Sequence, residues 1–97
     1  MEFNLKNKKM GVTLGHAVVS YDVNKDHTAV KNAMKAKGYY DNFRNGTGPV
    51  YTLPNTTLWH NTKSTDQAIA DIKSVCVSLR VTLEKAVAVL ATEFVGV

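Results

Sequence analysis

The apolar positions of this chain follow two rhythms, and the switches between them mark out its elements. From about Val12 to Val23 they crowd together, densest at Val18-Val19-Ser20-Tyr21-Asp22-Val23. These are mostly β-branched and aromatic residues, which fit a pleated surface. Ala17, Val19 and Tyr21 on one side and Val18 on the other make both faces apolar, so the run predicts an interior strand covered twice. Gly15 is the expected bend within it. The rhythm then turns helical. Val30, Ala33 and Met34 share one face of a helix predicted from an Asp26 N-cap to about Lys37. Gly38 ends it as a left-handed C-terminal residue.

Strand formers return at Tyr39, Tyr40, Phe43 and Val50-Tyr51-Thr52-Leu53, around the turn Asn45-Gly46-Thr47-Gly48-Pro49. The first of these strands is expected to be irregular. Beyond the break at Pro54-Asn55, Thr56 to His60 reads as a compact strand. The second helix is predicted over about 65–79. Ser64 and Gln67 have the spacing of a capping box, and Ala68, Ile69, Ile72, Val75, Cys76 and Leu79 form one apolar stripe. Asp71, Lys73 and Arg80 point away from that stripe. A last strand, about Lys85 to Thr92, is apolar on both faces. The tail Phe94-Val95 is too apolar for plain solvent and is expected on its own domain or on a second chain.

The order is β-α-β-β-α-β. Right-handed crossovers place both helices on one face of an antiparallel sheet, which is an α+β, ferredoxin-like arrangement with the first and third strands central. Residues 1–11, rich in lysine and asparagine, are read as a loose basic extension, and 12–97 as one domain. Two short helices leave the other sheet face bare. A second copy is the simplest cover, so a homodimer is expected.

Composition adds limits more than it adds chemistry. A hydrophobic fraction of 44% with 21% charge is that of a globular domain rather than a disordered chain. The net charge of +4 suits an anionic partner such as nucleic acid. Cys76 is the single cysteine, and its place on the apolar stripe makes it a buried thiol rather than a nucleophile. With no apolar run long enough to span a bilayer and a polar N-terminus, a cytoplasmic setting is expected and no membrane partner.

Two-faced chemistry gathers around Asp22, where a buried strand meets the polar loop Asn24-Lys25-Asp26. A carboxylate there either holds a metal ion or ends the strand by turn chemistry. His16, His27 and His60 lack the spacing of a metal pair, and His60-Asn61-Thr62 is a lone His-x-Thr unit. Lys25, Lys31, Lys35 and Lys37 give the first helix a basic outer face, and with Arg44 they are candidate phosphate contacts. Aromatic Tyr39, Tyr40, Phe43 and Trp59 are the alternative, a protein-contact set for a non-catalytic assembly or regulatory domain. A nucleotide or anion sensor is a third reading.

The Val18 to Val23 block, Gly38, the Thr57-Leu58-Trp59 strand and Thr65-Asp66-Gln67 together resemble the SinR-like group over about residues 16–92. That group is allied to the small CRISPR-associated adaptation subunit and to virulence-associated protein D. The resemblance implies a nucleic-acid-associated homodimer in which Asp22 serves as metal ligand and catalytic residue of a weak endonuclease using Mg2+ or Mn2+. The glycine-rich Arg44 to Pro49 segment and the basic N-terminal extension depart from the group's pattern.

Overall fold

A computed structural model of the chain describes residues 11–97. Strand β1 (Gly15–Val23) leads into helix α1 (His27–Ala36). The short strands β2 (Asn42–Arg44) and β3 (Val50–Thr52) follow, then β4 (Thr57–Lys63), helix α2 (Thr65–Leu79) and β5 (Leu83–Ala91). An antiparallel three-stranded sheet in the order β4-β1-β5 carries both helices on one face, and β2 and β3 form a separate hairpin. The expected second strand, around Tyr39 and Tyr40, is reduced to one bridge, between Tyr40 and Trp59 on the free side of β4. Tyr40 donates to and accepts from the Trp59 backbone at 2.8 and 3.1 Å. The chain then turns into the hairpin, so the irregularity expected of this strand reaches almost to its loss.

Strand β1 is central, as predicted, but it is buried on one face only, with His16 and Asp22 exposed on the other, and it begins at Gly15 rather than Val12. Its partners have run out by then, since β4 ends at Lys63 opposite Gly15 and β5 ends at Ala91 opposite His16. Val12 and Leu14 are accordingly 53% and 60% exposed. A register shift between Gly15 and Ala17 marks the predicted bend. Most of the basic extension predicted for residues 1–11, with Phe3 and Leu5, lies outside the described residues. Gly11 is described and is held in place: its carbonyl accepts the Asp66 N–H at the start of α2, at 2.9 Å.

Alternation along β1 decides what each face does. Ala17, Val19, Tyr21 and Val23 point to the helices and meet Leu58 of β4, Val30 and Met34 of α1, and Ile72, Val75 and Cys76 of α2. Met34, Leu58, Ile72, Val19 and Val30 are fully buried, the centre of one core. Truncating such a side chain to alanine typically costs ~2–5 kcal/mol.

The two helices are capped differently. Ser64 accepts the Gln67 N–H at 3.1 Å while the Gln67 side chain accepts the Ser64 N–H at 2.9 Å, so α2 has its predicted capping box and predicted span. Asp26 stands at the N-cap of α1, but its side chain makes no capping bond. Its backbone is left-handed, φ 56°, not the extended conformation from which an N-cap side chain reaches the first free N–H groups. Gly38, φ 97°, closes α1 as predicted: the Gly38 N–H donates to Lys35 and the Tyr39 N–H to Met34. Among the described residues no helix is long and apolar enough to cross a membrane.

Candidate functional site

Asp22 is the last outward-facing residue of β1, on the face that the helices leave open. Ser20 and Val18 share that face by alternation, and Lys85 of β5 is its direct cross-strand partner. The Ser20 and Thr57 hydroxyls are hydrogen-bonded at 3.0 Å. Ser20, Asp22, Thr56, Lys85 and Val87 line a shallow open depression of about 380 Å³. Asp22 is exposed, and the register shifts immediately after it, between Asp22 and Val23. Tyr21 beside it belongs to the core, and burial, with the nearby Cys76 thiol, raises its hydroxyl pKa.

The chemistry available to Asp22 within one chain is narrow. A divalent cation takes six or more oxygens, with at least one or two carboxylates among the protein ligands. Here one carboxylate faces a lysine, and the nearby hydroxyls are neutral. Among the described residues no three His, Cys, Asp or Glu side chains group as metal ligands. Asp22 is thus the one carboxylate lining this depression among the described residues.

Of the cations chosen from the sequence, Lys31 and Lys35 are engaged away from Asp22. Lys25 is exposed in the β1–α1 loop and Arg44 is exposed on the hairpin. Lys31 and Lys35, one turn apart on α1, both reach towards the loops around β2–β4. The Lys31 ammonium donates to Asn55 Oδ1 at 3.0 Å, and Lys35 pairs with Asp41 at 3.5 Å. That pairing, after a side-chain hydrogen bond from Asn42, helps hold the Asp41 carboxyl below its ordinary pKa. Helix α1 lies on the covered side of the sheet and Asp22 on the open side, so these two groups occupy opposite layers.

A polar cluster at the other end of β4 joins Tyr39, His60 and Asp71, which the sequence leaves apart, with Lys63, which it does not single out. The Tyr39 hydroxyl donates to Asp71 Oδ2 at 2.8 Å, and the Lys63 ammonium binds the same oxygen in a short ion pair. Lys63 also sits 5.4 Å above the Tyr39 ring, and the His60 ring meets Tyr39 edge-on at 5.2 Å. Gly38 packs against His60 so closely that a Cβ there would lie 2.9 Å from Nε2. His60 Nδ1 accepts the Thr62 N–H at 3.0 Å, which places the neutral ring's proton on Nε2 and uses up the His-x-Thr unit locally.

The electrostatics of the cluster follow from these contacts. Burial pushes the Asp71 carboxyl upward, but the hydrogen bonds from Lys63 and Tyr39 outweigh it and hold its pKa below the ordinary value. Burial and the bond to Asp71 push the Tyr39 hydroxyl well above its usual range. Burial, then the Lys63 charge, lowers the His60 pKa against the pull of Asp71. Each charge here is answered by a neighbour, so the cluster ties α2, β4 and the end of α1 together and holds no activated nucleophile. One signal for it was in the sequence: a buried tyrosine needs a partner for its hydroxyl, and Asp71 is the carboxylate on the helix facing it.

A third group covers part of the open sheet face. Phe94 lies 5.0 Å from Phe43, 5.1 Å from Trp59 and 6.3 Å from His16, ring centre to ring centre. Its carbonyl accepts a hydrogen bond from the Asn45 side chain at 2.9 Å, and Gly96 packs close against the Tyr51 ring. The Trp59 indole donates to the Asn42 carbonyl at 2.7 Å. The aromatic residues read as a protein-contact set are thus largely engaged within the chain, with Phe94 taken onto its own domain. Val95 beside it is exposed. No known protein family, curated protein or solved structure matches this chain.

Proposed function

We propose that this chain is a small homodimeric, nucleic-acid-associated protein of the kind its SinR-like resemblance implies. Its sheet is read as the ferredoxin-like order with the second strand worn down to the Tyr40–Trp59 bridge. The observation that carries the reading is the net positive charge of the chain, +4. Among the described residues only Lys35 and Lys63 are ion-paired, to Asp41 and Asp71, while Lys25, Arg44 and Lys85 have no ion-pair partner. Surface cations without an ion pair among the described residues, on a chain of net charge +4, favour a polyanion, whose bound counterions are released on contact.

Binding is the better-supported half of this reading, and cleavage the weaker. One Asp22 opposite Lys85 needs a second carboxylate from another chain before Mg2+ or Mn2+ is held. The test is fluorescence anisotropy with single-stranded and duplex oligonucleotides across a salt series, with and without either cation. Affinity is expected to fall log-linearly with salt. The pair Lys25→Glu and Arg44→Glu should weaken binding across sequences alike and lower the salt slope by roughly one for each phosphate no longer neutralised. Lys31→Glu should do less, because Lys31 already serves Asn55. Binding too weak to detect at micromolar protein and low salt would end the reading. Metal-dependent cleavage that disappears in Asp22→Asn would add a catalytic role to it.

A further inference from the structure

The sheet has two edges, and they are treated differently. On the β4 side, Tyr40 bridges to Trp59 and the aromatic groups close over the strand. On the other side β5 runs for nine residues and, among the described residues, pairs only with β1. Exposed edge strands in soluble proteins are normally blunted by central charges, prolines or bulges, because their free N–H and C=O groups recruit another strand. β5 has charges only at its start, Glu84 and Lys85. From Ala86 to Ala91 it is wholly apolar, and Val87, Val89 and Leu90 are 59%, 53% and 40% exposed.

We infer that β5 is the dimer contact: the β5 edges of two copies pair antiparallel about a two-fold axis at Ala88, joining two three-stranded sheets into one of six strands. This deepens the homodimer half of the reading above and does not depend on nucleic acid. The occupant is a second copy because the strand is complementary to itself. With Ala88 opposite Ala88, residues whose numbers sum to 176 face each other on a shared side of the sheet. Val87 then meets the partner's Val89 on the open face, merging four exposed valines into one apolar strip. On the helix side small Ala86 meets the larger Leu90 of the partner subunit. Lys85 falls opposite alanine and Glu84 opposite threonine, so no like charges are forced together. The tail does not obstruct the edge, since Phe94 leads away towards Trp59 on the β4 side.

The unmodified 97-residue chain is expected to sediment at twice its own mass at micromolar concentration. The double variant V87K/V89K sets two lysine pairs face to face and should sediment as a monomer. Both positions are exposed, and circular dichroism with the emission of the single tryptophan checks that the fold survives. In a C76S background, V87C chains mixed with V89C chains should form a mixed disulfide several-fold faster than either forms alone. That mixing result stands even where the lysine variant fails to fold. A monomeric parent chain overturns the inference, as does a dimer undisturbed by V87K/V89K or cross-linking without preference for the mixed pair. Retained oligonucleotide binding in a monomeric V87K/V89K would separate the two questions, leaving the nucleic-acid reading in place with the edge confirmed as the contact. A dimer that binds no oligonucleotide would leave the edge in place and end the nucleic-acid reading.

Discussion

Arg80 holds a left-handed backbone, φ 57°, at the end of α2, where its N–H and that of Val81 close the helix on Val77 and Cys76. That position favours glycine, because a Cβ in this conformation costs ~1–2 kcal/mol. Arg80→Gly is therefore expected to stabilise the fold by about 1 kcal/mol, visible as a rise of several degrees in the thermal midpoint. The sequence could not show this site, since no glycine marks it; only the end of the apolar stripe did. Asp71 makes the opposite case, a residue whose charge is used. Its pKa is lowered in the fold by Lys63 and Tyr39, against the effect of burial. Its contribution is thus present above about pH 4, the range where an unfolded carboxyl titrates, and disappears as pH falls through the depressed folded value. Asp71→Asn should cost ~1–2 kcal/mol at neutral pH, because Lys63 and Tyr39 lose a charged acceptor. The gap between variant and parent should close in urea titrations repeated at successively lower pH, as the pH passes below the depressed folded value. A gap that stays constant with pH would show that the ion pair adds nothing. Asp71 reads on the sequence as an ordinary polar position of a helix. Its partners come from the end of α1 and from β4, and only the fold joins them.

Helices were more legible than strands because their signals are local. The capping box and apolar stripe of α2 lie within sixteen residues, and both its ends are placed as predicted. For α1 the same logic gave the right position and the wrong chemistry: Asp26 occupies the N-cap but turns left-handed, so its carboxylate caps nothing. The two caps therefore make a paired prediction. Ser64→Gly should lower stability, by up to about 1 kcal/mol, since it removes a formed side-chain bond to Gln67. Asp26→Gly should be neutral or stabilising, since glycine relieves the left-handed strain and no side-chain bond is broken. Equal losses at the two sites, measured by denaturant midpoint, would contradict the cap geometry. Strand limits depend on partners far away in sequence. That is why β1 begins at Gly15 and not Val12, and why strand formers at Tyr39 and Tyr40 yield one bridge in place of a full strand.

At the scale of the molecule, the unequal faces of the sheet organise everything else. The helices cover one face with a core that the sequence names almost residue by residue, because apolar periodicity reports burial directly. The open face was legible only as something needing a cover, and the chain itself supplies part of it. Phe94 sits among His16, Phe43 and Trp59, and Gly96 lies against Tyr51, so the last five residues fasten the hairpin to the sheet. Nothing in the tail's own sequence says which surface it meets, since the rings that receive it come from β1, β2 and β4. The tail should therefore carry stability out of proportion to its length. Phe94→Ala is expected to cost ~2 kcal/mol, less than the full 3–5 kcal/mol of a core phenylalanine because Phe94 is only half-buried. Trp59 is the single tryptophan, so its emission reports this contact without interference and should shift to the red as the ring opposite it is removed. Gly96→Val should move emission the same way by a different route, since its Cβ would stand 2.6 Å from the Tyr51 ring and force the tail off the hairpin. A Trp59 spectrum unchanged in both variants, with stability intact, would mean that the tail does not rest on the sheet face and that the face is open from end to end.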